Sequence, residues 1–145
     1  MKELLNQLSN IEKDAAYKVI EVLKDGMSGK TEKVLSLQDG QIYVRKYFCY
    51  NMAIAEDDFY VLAKLSHPYL PKTHESYTLA DRQVLIQEYI SGMALSEVIQ
   101  YADGLTPRRA VDIALQLCEI AEFLHKQTPK PIIHRDIKPD NIICA

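Results

Sequence analysis

Cysteine is scarce in this chain, and the three present, Cys49, Cys118 and Cys144, stand far apart with no C-x-x-C pair among them. That spacing offers neither a redox centre nor a zinc site, so reduced, packed thiols are expected. His67, His74 and His125 show no metal spacing with one another or with the cysteines. Long apolar runs are missing as well. No stretch approaches the roughly 18 residues that span a bilayer, and the N-terminus MKELLNQLSN lacks the apolar core of a signal peptide. A cytoplasmic segment without a membrane span is the expectation. Basic charge is not in excess either: the net charge is -3, the pI is about 5.8, and Lys and Arg are scattered. With no positive field to meet a phosphate backbone, no nucleic-acid role is expected.

What is present is the composition of an ordinary globular protein, 145 residues with 48% hydrophobic and 26% charged content, enough to bury one core. Residues 4 to 15 carry apolar positions at loose helical spacing, and Tyr17 to Leu23 reads as a first strand. Gly26 and Gly29 punctuate the next loop. Lys33 to Leu37 and Gln41 to Phe48 form two strand-like runs joined by Asp39-Gly40, a hairpin turn pair. Between Ala53 and Leu65 the spacing of Ile54, Val61, Leu62 and Leu65 predicts a helix, with Glu56, Asp57 and Asp58 near its positive end. Thr73 to Leu79 and Val84 to Ile90 then predict two more strands.

After Ser91-Gly92 the pattern turns helical. Leu95 to Tyr101 is short, whereas Thr106 to Lys126 is long and opens with Thr106 as N-cap and Pro107 at the first position. Ala110, Ile113, Ala114, Leu117, Cys118, Ala121 and Leu124 keep three-four spacing, which predicts one buried face. Strands first and helices second predict an α+β chain in two lobes: a helical extension over 1–16, a five-stranded antiparallel sheet with one helix over 17–90, and helices over 91–145.

The chemistry concentrates at His134-Arg135-Asp136-Ile137-Lys138-Pro139-Asp140-Asn141, followed by the apolar Ile142-Ile143-Cys144. This octapeptide resembles the catalytic loop of protein kinases at every motif position, and the chain looks most like the bacterial-type Ser/Thr members. The resemblance implies that Asp136 accepts or orients the proton of a substrate hydroxyl, that Asn141 holds a magnesium ion on the phosphates of ATP, and that Lys138 neutralises the transferred phosphoryl group. A lysine two residues after the aspartate points to a Ser or Thr acceptor on a protein substrate. Phosphoryl transfer is catalysed mainly by positioning and charge neutralisation, which is why such groups share one rigid turn.

The upstream pieces fall in family order. In Tyr43-Val44-Arg45-Lys46 the resemblance makes Lys46 the lysine on the α- and β-phosphates; taken alone it would be a solvated strand lysine. Its acidic helix partner falls on Asp58, with Glu56 or Asp57 as alternatives under a shift of register. The glycine-rich loop departs from the family: Gly26-Met27-Ser28-Gly29 reads equally as a flexible turn, Glu32 stands where the last glycine is expected, and Val34 is placed over the adenine. Gly-Lys-Thr at 29–31 lacks the spacer of a Walker A loop. Gln87-Glu88-Tyr89-Ile90-Ser91-Gly92 resembles the hinge, with backbone groups of Glu88 and Ile90 meeting the adenine edge, Gln87 as gatekeeper and Ile143 closing the pocket from below.

The resemblance implies a truncated kinase fold that reaches the catalytic loop and stops before the strand with the D-F-G aspartate. The parent protein is then expected to transfer the γ-phosphate of ATP to Ser or Thr, with these residues inactive by themselves and prone to self-associate through the underside of the long helix. The alternative is a pseudokinase or nucleotide-binding interaction module. A small-molecule phosphotransferase ranks last, since those usually carry H-G-D in place of His134-Arg135-Asp136.

Overall fold

The computed structural model describes residues 1–27, 29–49, 56–80 and 82–145; the side chains of Cys49, Glu56, Asp57 and Asp58 also lie outside that description. The chain divides into two compact units, residues 1–66 with 71–89, and residues 67–70 with 90–145.

The first unit is a five-stranded antiparallel sheet with two helices. In chain order it contains α1 (Lys2–Ala15), β1 (Tyr17–Gly26), β2 (Gly29–Ser36), β3 (Ile42–Cys49), α2 (Glu56–Ala63), β4 (Thr73–Leu79) and β5 (Arg82–Glu88). The strands lie in the order β1-β2-β3-β5-β4, so β1 and β4 are the edges. β1 and β2 reach further toward their shared turn than the β-branched run suggested, because Gly26 pairs with Gly29 and extends the ladder to the hairpin tip. The Asp39-Gly40 turn forms as expected: Gly40 takes a left-handed φ of 71°, and Asp39 Oδ1 accepts the Gln41 N–H at 2.8 Å.

One face of this sheet carries the core. Tyr17, Val34, Tyr47, Tyr77, Val84 and Ile86 form a buried cluster, with Tyr43 and Leu79 packed against it. Cross-strand partners share a face, and the pairs Tyr17–Ser36, Val34–Tyr43, Tyr47–Val84 and Tyr77–Val84 place these side chains together. α1 is held at this face by polar contacts. Asp14 accepts hydrogen bonds from Arg45, Tyr47 and Tyr77, and Asn10 Nδ2 donates to the Thr78 carbonyl at 2.8 Å. No residue of α1 is buried, and its Leu4, Leu8 and Ile11 stay about half exposed. Aspartate and tyrosine hydroxyls, more than apolar burial, fix this helix.

The second unit contains β6 (Met93–Ala94), α3 (Leu95–Tyr101), α4 (Pro107–His125), a 3-10 turn over Pro139–Asn141, and β7 (Ile143–Cys144) paired with β6. α4 starts as the sequence predicts, with the Arg109 N–H donating to Thr106 Oγ1 at 3.3 Å and Pro107 in the first turn. Its expected buried stripe is a correction. Of that set only Leu124 is buried; Ile113, Leu117 and Ala121 are half-buried, and Ala110, Ala114 and Cys118 are exposed. The reason is the lack of a covering layer among the described residues: the only other α-helix of this unit, α3, has 7 residues against the 19 of α4.

Candidate functional site

The second unit builds the catalytic-loop motif from the turn after α4. The Ile132 N–H donates to the Leu124 carbonyl at 2.9 Å, tying the approach to the end of α4. Behind the loop, the Leu95 N–H donates to the Ile142 carbonyl at 2.8 Å, and β7 pairs with β6. Gly92 is required at that junction, since a Cβ there would sit 2.3 Å from the Cys144 carbonyl oxygen. The polar turn is thus clamped on both sides.

Within it, Asp136, Lys138 and Asn141 come together. Asn141 Nδ2 donates to the Asp136 carbonyl and to Asp136 Oδ2, both at 2.9 Å. Lys138 Nζ lies 3.4 Å from Asp136 Oδ1. The Asp136 N–H donates to His134 Nδ1 at 3.2 Å, so the histidine serves as a backbone acceptor. Arg135 adopts φ of 67°, a left-handed conformation that costs a non-glycine residue about 1 kcal/mol or more. The 3-10 turn, with the Asn141 N–H on the Lys138 carbonyl at 2.9 Å, folds Asn141 back toward Asp136. Asp136 carries both a neutral amide and a cation on one carboxylate, and all three residues are exposed to solvent. Ile143, on β7, is 44% exposed and pairs with Ala94.

On the sheet of the first unit, Lys46 pairs with Thr31 on one side and Leu85 on the other, and its neighbour in the ladder, Val44, pairs with Lys33 and Gln87. Side chains alternate along a strand, so Lys46, Val44, Thr31, Lys33, Leu85 and Gln87 share the face opposite the tyrosine-rich core. Burial pushes the Lys46 ammonium down from its ordinary pKa, and the nearby charge of Lys24 pushes it the same way. Gln87 Oε1 on the same face is buried without a hydrogen-bond partner among the described residues. A desolvated cation and an orphaned acceptor therefore face one region, which suits a polar, anionic ligand.

The structure separates two residues that the sequence reading put in one pocket. Val34 pairs with Tyr43 and is fully buried in the core, on the face opposite Lys46. It cannot cover a base bound beside Lys46; Thr31, Lys33 and Leu35 are the β2 residues on that face. Glu32 likewise points into the core side, where Arg45 and Lys30 hold it. Gly29 has a structural duty: at φ of 133°, a Cβ there would lie 2.0 Å from the Tyr47 carbonyl oxygen, so only glycine lets β2 close on β3. Gly26 has open space around it. Ser28 between them, and the Asp58 side chain expected to pair with Lys46, lie outside the described residues. The Glu88 N–H donates to the Lys72 carbonyl at 2.8 Å, so an adenine could use Glu88 only through its carbonyl. Ile90 falls in the second unit, directly after β5 and Tyr89. Lys24 and Thr31 come to this face through strand register, which residue type alone does not reveal.

Comparison with known proteins adds the lineage. The model of the protein kinase domain matches residues 17–145. Smooth-muscle myosin light chain kinase of Gallus gallus is 30% identical over 134 residues, 89% of this chain and 7% of that protein. Serine/threonine-protein kinase VIK of Arabidopsis thaliana is 37% identical over 83 residues, 57% of this chain and 19% of that protein. Serine/threonine-protein kinase C of Synechocystis sp. is 32% identical over 78 residues, 54% and 14% of the two. These relatives come from an animal, a plant and a cyanobacterium and single out no bacterial subtype, and the chain spans only 7% to 19% of their lengths. Among solved structures, Rad53 1-466 in complex with AMP-PNP has the same fold with a TM-score of 0.78 at 23% identity, covering 88% of this chain and 34% of that one.

Proposed function

The chain belongs to the protein kinase domain family, and from that premise we propose that the protein carrying it transfers the γ-phosphate of ATP to a Ser or Thr hydroxyl of a protein substrate. The observation that carries this reading is the Asp136 carboxylate held by Asn141 Nδ2 at 2.9 Å with Lys138 Nζ at 3.4 Å. Asp136 is fixed in orientation by Asn141 with the Lys138 ammonium beside it, so its carboxylate is placed to accept the proton of an approaching hydroxyl. Lys138 would neutralise the negative charge that accumulates on the transferred group, and its place two residues after Asp136 favours Ser or Thr over Tyr. Arg135 is exposed and free to meet a phosphorylated segment in bidentate fashion.

The other half of the reading is nucleotide binding at the Lys46 face. The desolvated Lys46 ammonium suits the phosphates, and the orphaned Gln87 oxygen suits a donor from the base. Glu88 and Ile90 follow as backbone partners for the adenine edge, Gly26 and Gly29 as the hairpin near the phosphates, and Ile143 as an apolar contact. Asp58 is the proposed counter-charge of Lys46 in the nucleotide-bound protein. For magnesium, the donor chemistry at Asn141 fits: Nδ2 is spent on Asp136, leaving Oδ1 as a hard oxygen ligand. No group of three His, Cys, Asp or Glu among the described residues could hold a metal without further ligands. Further oxygens would come from the phosphates. When bound, the ion neutralises charge on the β- and γ-phosphates.

Among the described residues no helix is long and apolar enough to cross a membrane. A cytoplasmic setting agrees with free Cys118 and Cys144 and with a supply of ATP. Exposed Val111 and Leu115 on α4 favour self-association of the isolated chain. A second reading, a nucleotide-binding module without transfer, is favoured by the departure of Gly26-Met27-Ser28-Gly29 from the glycine-rich pattern of the family. Labelled γ-phosphate transfer from Mg-ATP by the parent protein, beside its Asp136→Asn variant, separates the two. Transfer by the wild type alone supports the kinase; ATP binding with no transfer by either supports the module.

A further inference from the structure

β1 does not alternate regularly. Its register against β2 shifts between Val19 and Glu21 and again between Val22 and Lys24, so Ile20 and Leu23 are extra residues in the ladder. Each bulge turns the following side chains to the other face. Without the second one, Leu23 would oppose Thr31 and Lys24 would oppose Lys30, on the core side. With it, Lys24 pairs with Thr31, which in turn pairs with Lys46. Lys24, Thr31 and Lys46 thus form one cross-strand row on the face away from the core. Bulges that re-aim a side chain beside a site are a recurrent device.

On the described strands the row sets two like charges side by side with no carboxylate between them. Two lysines stand across two strand spacings, with backbones about 10 Å apart, close enough for both side chains to reach one extended anion. Lys24 is exposed and Thr31 is half-buried between them. The nearest carboxylate on the described strands of that face is Glu21, one row along and opposite Lys33; Lys33 itself lies over the Tyr89 ring at 4.3 Å. The Lys24 charge also pushes Lys46 toward deprotonation, a repulsion that a bound polyanion would relieve.

We propose that Lys24 is a second phosphate-binding residue, acting with Thr31 and Lys46 as a three-strand cradle for the polyphosphate of the nucleotide. It rests on the nucleotide-binding reading above and supplies a cation and a hydroxyl beside a hairpin that departs from the glycine-rich pattern. An ammonium on a flexible stem is suited to a phosphate whose position is set elsewhere.

The test uses the whole 145-residue chain and three probes, ATP, tripolyphosphate and adenosine, with Kd measured by calorimetry for wild type, Lys24→Met and Lys18→Met. Lys18 is a control on the same face of β1, opposite Leu35 at the far end of the strand. Circular dichroism checks that each variant folds. The expected result is a loss of about tenfold for ATP and for tripolyphosphate in Lys24→Met, as for one charge-assisted hydrogen bond, with adenosine within twofold and Lys18→Met unchanged. Unaltered tripolyphosphate affinity in Lys24→Met, an equal loss in Lys18→Met, or no tripolyphosphate binding by wild type would overturn the cradle. Tripolyphosphate binding that depends on Lys24, without binding of ATP or adenosine, would keep the cradle and remove the nucleotide reading instead.

Discussion

The Arg45 guanidinium donates from Nε and from Nη2 to the same oxygen of Glu32, at 2.9 and 2.8 Å, with both residues buried. Asp14 at the end of α1 meets the third nitrogen at 3.3 Å, and Lys30 reaches the other Glu32 oxygen at 2.9 Å. One residue along β3, Lys46 points to the opposite face. Adjacent positions of one strand thus divide the work: Arg45 joins α1 to the sheet, and Lys46 faces the candidate ligand region.

Because the Arg45–Glu32 pair is buried, removing one partner leaves a buried charge that Lys30 or Asp14 compensates only in part. Arg45→Met is expected to lower unfolding free energy by about 3 kcal/mol, and Glu32→Leu by a similar amount. The double variant should recover most of that loss, since apolar groups of similar volume need no partner. Urea denaturation of the four proteins closes the cycle. Additive losses in the double variant would mean that the two residues act independently.

Tyr47 and Tyr77 hydroxyls donate to Asp14, and the Tyr17 hydroxyl donates to Glu75 at 2.7 Å. Burial pushes all three phenols up, Tyr47 to about 12, with the neighbouring carboxylates adding to the effect and Arg45 opposing it at Tyr47 and Tyr77. An unfolded tyrosine ionises near pH 10 while the folded one keeps its proton. The unfolded state then binds fewer protons, so stability is full below about pH 10 and falls as pH rises, by about 1.4 kcal/mol per pH unit per tyrosine. Tyr77→Phe should cost about 1 kcal/mol at pH 7 and make the alkaline fall shallower. Parallel falls in wild type and variant, followed by urea midpoints from pH 8 to 11, would contradict this assignment.

The two hairpin glycines differ in kind. A Cβ on Gly29 meets the Tyr47 carbonyl at 2.0 Å in a backbone conformation side chains avoid, whereas a Cβ on Gly26 meets nothing within 4 Å. Gly29→Ala is expected to destabilise by about 2 kcal/mol or more, through strain and a loosened β2–β3 ladder. Gly26→Ala should leave stability within about 0.5 kcal/mol. Thermal melts of the two variants give the comparison; equal effects would show that Gly29 is not needed for strand closure.

These contrasts mark what was legible beforehand. The Asp39-Gly40 turn, the Thr106-Pro107 start of α4 and the turn from His134 to Asn141 are local, each specified by residues a few positions apart, and the sequence carries them openly. Which face of β2 holds Val34 is different, because it depends on register against β3 and not on distance from a motif. The β1 bulges that aim Lys24 leave no sign in residue type. The docking of Asp14 on Arg45, Tyr47 and Tyr77 joins positions 31 to 63 residues apart. The apolar stripe of α4 is periodic in the sequence, but periodicity does not say what lies against it.

Lys46 gives the sharpest separation of stability from function. Its ammonium is desolvated, and Lys24 is a like charge on the same row. A residue kept in such surroundings lowers stability while serving a ligand. Lys46→Met keeps the aliphatic stem and removes the charge, so the variant is expected to be more stable by about 1 kcal/mol and to bind ATP at least tenfold more weakly. Urea midpoints and ATP calorimetry on the same preparations check both halves. A loss of stability would mean that a carboxylate, with Asp58 the first candidate, already neutralises Lys46; a gain in stability with unchanged ATP affinity would remove Lys46 from the phosphate site and leave it a strained strand lysine.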